Sequence, residues 1–201
     1  VLKKRKFFKI KFKEELIFPM IGINQVYGLK KINLSKISYQ DIKSFNFDNE
    51  LLGLNKEKEE YCEKKIARLG IEKNDKLVCL HVRDGKFRKD ENRKNYRNSD
   101  INNYIDTIKF LISNGYKVIR MGKNSNKKIN LNNENFFYFN FNQIQEDIMD
   151  LYLIKRCKFY IGTQSGILDI AHMFHKPILI TNMDALYSGF PRKKIDRGIF
   201  K

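Results

Sequence analysis

KFYIGTQSGILDIAHMFHKPILIT, residues 158–181, contains the patterns of a strand, a helix and a second strand in succession. Residues 158–162 are a short, mostly apolar run of the kind found in buried strands. Small and hydroxylated residues follow, and apolar residues then recur at helical spacing over 165–174. A second apolar run covers 177–181, and we expect it to be the last strand of the chain. This succession is typical of α/β proteins with a parallel sheet.

The same alternation extends toward the amino terminus. Residues 76–82, KLVCLHV, are almost continuously apolar, as in a strand that is covered on both faces. Apolar residues over 101–112 follow the 3.6-residue period of a helix that Ser99 or Asp100 can cap and Gly115 can end. The other predicted elements are strands over 116–121 and 136–139 and helices over 56–69 and 147–157.

This order of elements predicts an α/β fold with a doubly wound, mostly parallel, Rossmann-like sheet. We expect the domain to cover residues 56–201. Residues 1–55 hold two short apolar patches among Lys and Asn, and we interpret them as a remnant of, or connection to, an amino-terminal domain. Because the 201-residue chain starts at Val1, we expect it to be a piece of a longer protein.

The net charge of +17 raises the alternative of a basic nucleic-acid-binding module. Such a module gathers its lysines on one face with stacking aromatic residues. Here Lys and Asn are scattered and Trp is absent, which indicates compositional bias, so we expect no specific nucleic-acid partner. The positive field favours anionic ligands and peripheral contact with an anionic membrane.

The cysteines and the apolar runs indicate the compartment. Cys62, Cys79 and Cys157 are odd in number and far apart, without metal-binding or disulfide spacing. No apolar run approaches the ~20 residues that span a bilayer. We expect a cytoplasmic protein that is either soluble or peripheral at the inner face of the membrane.

Four groups of polar residues follow predicted strands. After residues 76–82, His81 and Arg83 share one face because they are two apart, and Asp84 is next to them. A guanidinium offers a planar fork to a phosphate, and Asp84 or His81 can orient it or a sugar hydroxyl. The alternative is a core histidine beside a surface ion pair.

The next two groups also suit an anion. Arg120 supplies charge and Gly122 permits close approach to the backbone, although an exposed Arg beside a turn glycine is common. Thr163, Ser165 and Gly166 precede a helix, whose amide hydrogens and dipole attract anions, and a plain N-cap role for Ser165 is compatible with this. The loop is neither a Walker loop nor a GxGxxG fingerprint, which argues against kinases and NAD enzymes.

Arg97 and Asn98 form the fourth group, just before the helix that begins near residue 101. They are a further contact to a donor or acceptor, or only a cap beside an exposed arginine. All four groups are expected at one rim of the sheet. Together they call for an anionic ligand with hydroxyl groups, which a nucleotide sugar satisfies.

Three stretches carry a family resemblance: HVRD (81–84), YRNSDINNYIDTIKFLISNGYKVIRMG (96–122) and DIMDLYLIKRCKFYIGTQSGILDIAHMFHKPILITNM (147–183). In this order they resemble bacterial glycosyltransferases of surface polysaccharide gene clusters, whose fold is similar to the GT-B arrangement. The His-x-Arg strand end is also similar to that of fucosyltransferases that use a GDP-sugar, although these carry His-x-Arg-Arg. The resemblance covers about residues 70–185.

The resemblance implies that Arg83 contacts the donor diphosphate with His81 beside it. The residues that it implies for the nucleotide and phosphate pocket are Arg120, Gly122, Thr163, Ser165 and Gly166. It further implies a glycosyltransferase that moves a sugar from a nucleotide-diphospho donor to a glycan hydroxyl.

We expect the leaving diphosphate to be stabilised by arginines and the helix N-terminus, with no cofactor and no obligatory metal. No DxD motif is present, and Asp147 and Asp150 fall on a predicted helix. Asp84 is the candidate general base, followed by His81. A non-catalytic, nucleotide-binding remnant of such an enzyme is a further alternative.

Overall fold

The computed structural model describes residues 52–85, 97–122, 128–139, 146–184, 191 and 193–201. Within these ranges it contains one six-stranded sheet. The strands are β1 (Lys76–His81), β2 (Tyr116–Met121), β3 (Phe136–Tyr138), β4 (Phe159–Thr163), β5 (Ile178–Met183) and β6 (Arg197–Phe200). The helices are α1 (Lys56–Ala67), α2 (Ile105–Ser113), α3 (Asp147–Arg156) and α4 (Gly166–Met173), with a 3₁₀ turn at Ile101–Tyr104 before α2.

The sheet order is β3-β2-β1-β4-β5-β6, and each neighbouring pair is parallel. This is the order of a doubly wound fold, in which the chain first builds outward from β1 in one direction and then in the other. The predicted α/β class and Rossmann-like sheet are therefore confirmed.

Both faces of the sheet are covered, as the continuous apolar run in β1 predicts. Leu77 and Cys79 point into a core formed with α1, α3 and α4. Val78 and Leu80 point into a second core, formed with α2 and the turn before it. Each fully buried aliphatic side chain contributes about 1.5–3 kcal/mol relative to an exposed one, so these two cores fix the position of β1 in the sheet.

Capping side chains set where α1 and the turn before α2 begin. Asn55 Oδ1 accepts a hydrogen bond of 3.0 Å from the Lys58 backbone N–H and starts α1. Asp100 Oδ1 accepts one of 2.9 Å from the Asn102 N–H and starts the turn that leads into α2. Of the two predicted caps, Ser99 and Asp100, the structure uses Asp100. Such a cap stabilises a helix by about 1 kcal/mol.

The prediction that residues 177–181 form the last strand is wrong. β5 extends to Met183, and β6 follows it at the edge of the sheet. All four residues of β6 are exposed, so neither alternation nor an apolar run reveals the strand in the sequence. Pairing with β5 creates it. The other predicted boundaries differ from the observed ones by only a few residues.

The interpretation of residues 1–55 lies outside the described residues, apart from 52–55. Cys62, Cys79 and Cys157 are free, buried thiols. Across the ranges that the structure describes, no helix combines enough length with enough apolar character to cross a membrane.

Candidate functional site

The candidate site lies where β1 and β4 end side by side. His81, the last residue of β1, is opposite Gly162 of β4. The order of the sheet reverses between these two strands, because β2 and β3 lie on one side of them and β5 and β6 on the other. In open α/β sheets the ligand crevice is at the carboxyl ends of the strands, at this point of reversal.

Two hydrogen bonds join the loops that follow these strands. The Arg83 backbone N–H donates to Thr163 Oγ1 over 3.0 Å. Ser165 Oγ lies 3.1 Å from His81 Nδ1. The structure therefore brings the first and third predicted groups of site residues into direct contact.

Ser165 occupies the N-cap position of α4 with extended backbone angles, but its side chain makes no capping hydrogen bond. Its hydroxyl lies against His81 instead. The amide hydrogens of the first turn of α4 therefore donate no hydrogen bond to the cap side chain. A helix N-terminus in this condition is suited to an anion.

His81 is neutral at physiological pH. Burial lowers the pKa of its imidazole to about 4, the nearby charges of Arg120 and Arg83 act in the same direction, and Asp84 opposes them. The ring also borders Gly122, where a Cβ would lie 3.2 Å from His81 Cδ2 and φ is +117°. A side chain at Gly122 would meet both the ring and an unfavourable backbone conformation.

Gly162, near the end of β4, and Gly166, at the start of α4, have different surroundings. A Cβ at Gly162 would lie 2.6 Å from both the His81 carbonyl oxygen and the Tyr160 hydroxyl, closer than non-bonded atoms approach. A Cβ at Gly166 would meet nothing within 4 Å. Packing therefore requires glycine at position 162, whereas Gly166 opens onto free space at the start of α4.

Arg97 and Asn98 reach the same edge of the sheet. Arg83 Nε donates to Asn98 Oδ1 over 3.2 Å. Arg97 Nη2 donates to the Gln164 carbonyl oxygen over 2.9 Å, and Arg97 Nε lies 3.9 Å from Asp184 Oδ2. The fourth predicted group is thus tied to the ends of β1, β4 and β5.

Arg120 lies beneath the site, with 1% of the residue exposed. Its Nη2 is 4.0 Å from Asp84 Oδ2, and its guanidinium lies 5.8 Å from the centre of the Tyr138 ring. Burial lowers the pKa of Arg120. In this conformation the Arg120 guanidinium lies beside the Asp84 carboxylate. Its expected place in the lining of a nucleotide pocket stays a prediction.

Gln164 was not predicted as a site residue, and it is buried. Gln164 Oε1 accepts a hydrogen bond of 2.9 Å from the Asp184 N–H, so the loop after β4 is joined to the end of β5. Tyr104 makes a second link to β5, since its hydroxyl lies 2.7 Å from Thr181 Oγ1. In the sequence, the single signal for Gln164 as a site residue is its position in a strand-to-helix loop.

Chemically, this edge offers guanidinium groups, a neutral imidazole, hydroxyl groups and the amide hydrogens of a helix N-terminus. Such groups bind phosphate oxygens and hydroxyl groups. In the part of the chain that the structure describes, His, Cys, Asp and Glu side chains form no group of three that suits a metal ion.

The fold is similar to that of GT-B glycosyltransferase domains. No protein-family model and no curated protein matches the sequence. Among solved structures, the chain is similar to E. coli ADP-heptose LPS heptosyltransferase II, with a TM-score of 0.54 and 17% identity over 74% of this chain and 44% of that chain.

A second similar structure is the glycosyl transferase family 9 protein from Veillonella parvula DSM 2008. Its TM-score is 0.52 and its identity 12%, over 75% of this chain and 41% of that chain. The chain thus spans less than half the length of either protein. At these identities the likeness concerns the fold.

Proposed function

We propose that this chain is the nucleotide-sugar-binding part of a glycosyltransferase that transfers a sugar to a hydroxyl of a growing surface glycan. The proposal depends on one observation, namely the contacts that connect the carboxyl ends of β1 and β4. There, the Arg83 N–H bonds to Thr163 and His81 contacts Ser165, directly beside the N-terminus of α4. Similarity of the fold to two glycosyltransferases supports the same class.

In this proposal the donor diphosphate lies over the N-terminus of α4. Its oxygens accept hydrogen bonds from first-turn amides, with Gly166 leaving room for their approach. The Arg83 guanidinium contacts the diphosphate from the β1 side, and Arg97 and Asn98 complete the rim next to it. Thr163 holds the loop after β1 in place.

Catalysis would come from stabilising the leaving group. When the bond between sugar and phosphate breaks, negative charge grows on the diphosphate, and preorganised donors around it lower the barrier. No metal or cofactor is required by this scheme. Full activity needs the remaining part of a two-domain enzyme, because the chain covers less than half of each glycosyltransferase that it resembles.

Asp84 is the better candidate for the general base that accepts the proton of the acceptor hydroxyl. Its carboxylate faces Arg120 from 4.0 Å, beside the crevice. A His81 pKa of about 4 makes the imidazole a weak base and leaves it free to act as a neutral hydrogen-bonding group. Asp84→Asn should therefore reduce turnover more than it reduces donor affinity.

The charge of +17 supports peripheral contact with the anionic inner face of a membrane, where lipid-linked glycans are assembled. Co-sedimentation with vesicles containing anionic lipid tests this separately from donor binding. Binding that persists with purely zwitterionic vesicles would contradict the electrostatic explanation.

The class and the donor base are tested together by a panel of ADP-, GDP-, UDP-, CDP- and dTDP-sugars. The ADP-sugars belong in the panel because the E. coli protein of similar fold is an ADP-heptose LPS heptosyltransferase. GDP-fucose belongs there because of the His-x-Arg strand end. We expect one nucleotide to raise the melting temperature and to bind in calorimetry with EDTA present. Failure of every member, with RNA bound instead, would contradict the proposal.

A further inference from the structure

Gln164 lies in the loop between β4 and α4, immediately before the N-cap residue Ser165, and 2% of it is exposed. It contacts two segments that are distant from it in the sequence. Its side-chain Oε1 accepts a hydrogen bond of 2.9 Å from the Asp184 N–H, and its backbone carbonyl accepts one of 2.9 Å from Arg97 Nη2. A single residue therefore connects the start of α4 with the end of β5 and with the segment before α2.

Arg97 and Asp184 also contact each other, since Arg97 Nε lies 3.9 Å from Asp184 Oδ2. The three residues thus form a closed set of contacts, in which Arg97 is held both by the backbone of residue 164 and by the Asp184 carboxylate. A substitution at position 164 keeps the backbone carbonyl and removes only the contact with the Asp184 N–H. The Gln164 side chain therefore acts on Arg97 through Asp184.

These contacts place the Arg97 guanidinium beside the N-terminus of α4. Its Nη2 bonds to the carbonyl oxygen of the residue that precedes the helix cap. A guanidinium has five N–H donors, more than the contact with Gln164 uses. Because these donors form a planar fork, the group binds a phosphate well only when it is correctly oriented. What holds Arg97 in place therefore matters for an anion at the helix N-terminus.

We propose that Gln164 is a positioning residue for anion binding at the N-terminus of α4. Its side chain fixes Asp184, the Asp184 carboxylate orients Arg97, and Arg97 donates to the anion. This inference rests on the proposed function in taking the anion to be the donor diphosphate. Without the contacts at positions 164 and 184, Arg97 keeps its charge but loses its orientation, and the diphosphate binds less tightly.

A double-mutant cycle tests the path from Gln164 to Arg97. Gln164→Met has a side chain of similar length but no acceptor for the Asp184 N–H. With inorganic pyrophosphate as the probe, calorimetry should show an affinity about fivefold lower in Gln164→Met, the effect of losing one hydrogen bond. Arg97→Ala should lower the affinity about tenfold, and adding Gln164→Met to it should cause no further loss. Two losses that multiply, or an unchanged affinity in Gln164→Met, would overturn the proposal.

Asp184→Ala tests the same path without altering the buried Gln164. It keeps the backbone N–H that Gln164 binds and removes the carboxylate. If the carboxylate did no more than add negative charge near the anion, its removal would raise the affinity for pyrophosphate. We expect a loss of about threefold to fivefold instead, because Arg97 is no longer oriented. An equal or higher affinity would count against Asp184 as the link and overturn the proposal.

Tyr104→Phe is the matched control for a general loosening of the end of β5. It removes the hydroxyl that lies 2.7 Å from Thr181 Oγ1 and leaves Gln164, Asp184 and Arg97 in place. The affinity for pyrophosphate should stay as in the unmodified protein. A loss equal to that of Gln164→Met would show that any weakened contact at β5 has this effect, and the specific role of Gln164 would fall.

These outcomes are separable from the outcome for the proposed function. If pyrophosphate binds with the expected coupling but no nucleotide sugar binds, the glycosyltransferase proposal fails and the role of Gln164 stands. If a nucleotide sugar binds but Gln164→Met lowers pyrophosphate affinity equally with and without Arg97, the role of Gln164 fails and the glycosyltransferase proposal stands. An unmodified protein that does not bind pyrophosphate also overturns the positioning role.

Discussion

Two charged regions of this molecule use basic side chains in different ways. Between α1 and α3, three basic side chains are paired with carboxylates, in the pairs Lys65–Glu146, Lys155–Glu59 and Arg156–Glu63. We call this group the helix-face cluster. At the carboxyl edge of the sheet, Arg83 and Arg97 donate to the neutral oxygens of Asn98 and Gln164, and Arg97 also lies 3.9 Å from the Asp184 carboxylate.

The charges of the helix-face cluster hold structural elements together, whereas the charges at the carboxyl edge are placed beside a crevice. The helix-face cluster joins two neighbouring helices, and its ions neutralise each other. The contacts at the carboxyl edge orient guanidinium groups beside the N-terminus of α4, where an anion is favoured. A net charge of +17 cannot distinguish these two uses, because they differ only in where the side chains lie.

The largest expected effect is at the carboxyl edge. Arg83→Ala should weaken binding of the nucleotide sugar by about tenfold to a hundredfold, since it removes a charge-assisted contact to phosphate. Calorimetry measures the affinity. Arg68→Ala removes the same charge from an exposed position after α1 and is the control. Equal affinities for the two variants would show that Arg83 does not contact the ligand.

Gly162→Ala tests how tightly the ends of β1 and β4 are packed. Its Cβ would meet the His81 carbonyl oxygen and the Tyr160 hydroxyl, so we expect the free energy of unfolding to fall by about 2 kcal/mol. Gly166→Ala, with open space around its Cβ, should change stability by less than about 0.5 kcal/mol. Urea denaturation compares them, and similar losses in both would contradict the described packing.

The pH dependence of stability tests the neutral state of His81. Its folded pKa of about 4 is below the ordinary 6.5, so the neutral ring stabilises the fold fully above pH 6.5. That contribution is lost as the pH falls from 6.5 toward 4. Between pH 7 and 4.5 the unmodified protein should lose on the order of 2 kcal/mol more than His81→Gln. Parallel stability curves for the two proteins would contradict a depressed pKa.

The smallest effect is expected in the helix-face cluster. Lys155→Ala removes the partner of Glu59 from a partly exposed pair and should cost less than about 1 kcal/mol. The loss should shrink at high salt, and nucleotide-sugar affinity should not change. A marked loss of affinity in this variant would mean that the ligand binds on the helix face.

Much of the fold was predictable because buried parallel strands leave continuous apolar runs. Residues 76–82 and 158–162 show such runs, and the observed strands β1 and β4 lie within one residue of them. β6 was not predictable, since all its residues are exposed and only pairing with β5 makes it a strand.

The candidate site was predictable only in outline. Strand ends of a parallel sheet share one edge, so Arg83 and Ser165 were expected there together. Alternation along β2 shows which face Arg120 occupies, but not that Tyr138 and the neighbouring core bury it. Gln164 is tied to the end of β5 by a contact between separate elements, which no local pattern reports.

The most direct test follows the backbone amides of ¹⁵N-labelled protein during titration with inorganic pyrophosphate, with sulfate at equal ionic strength as the reference. Binding at the carboxyl edge predicts that the largest shift changes occur at Arg83, Ser165 and Gly166, with little change in α1 and α3. Largest changes in the helix-face cluster, or equal changes with sulfate, would contradict a diphosphate site at the ends of β1 and β4.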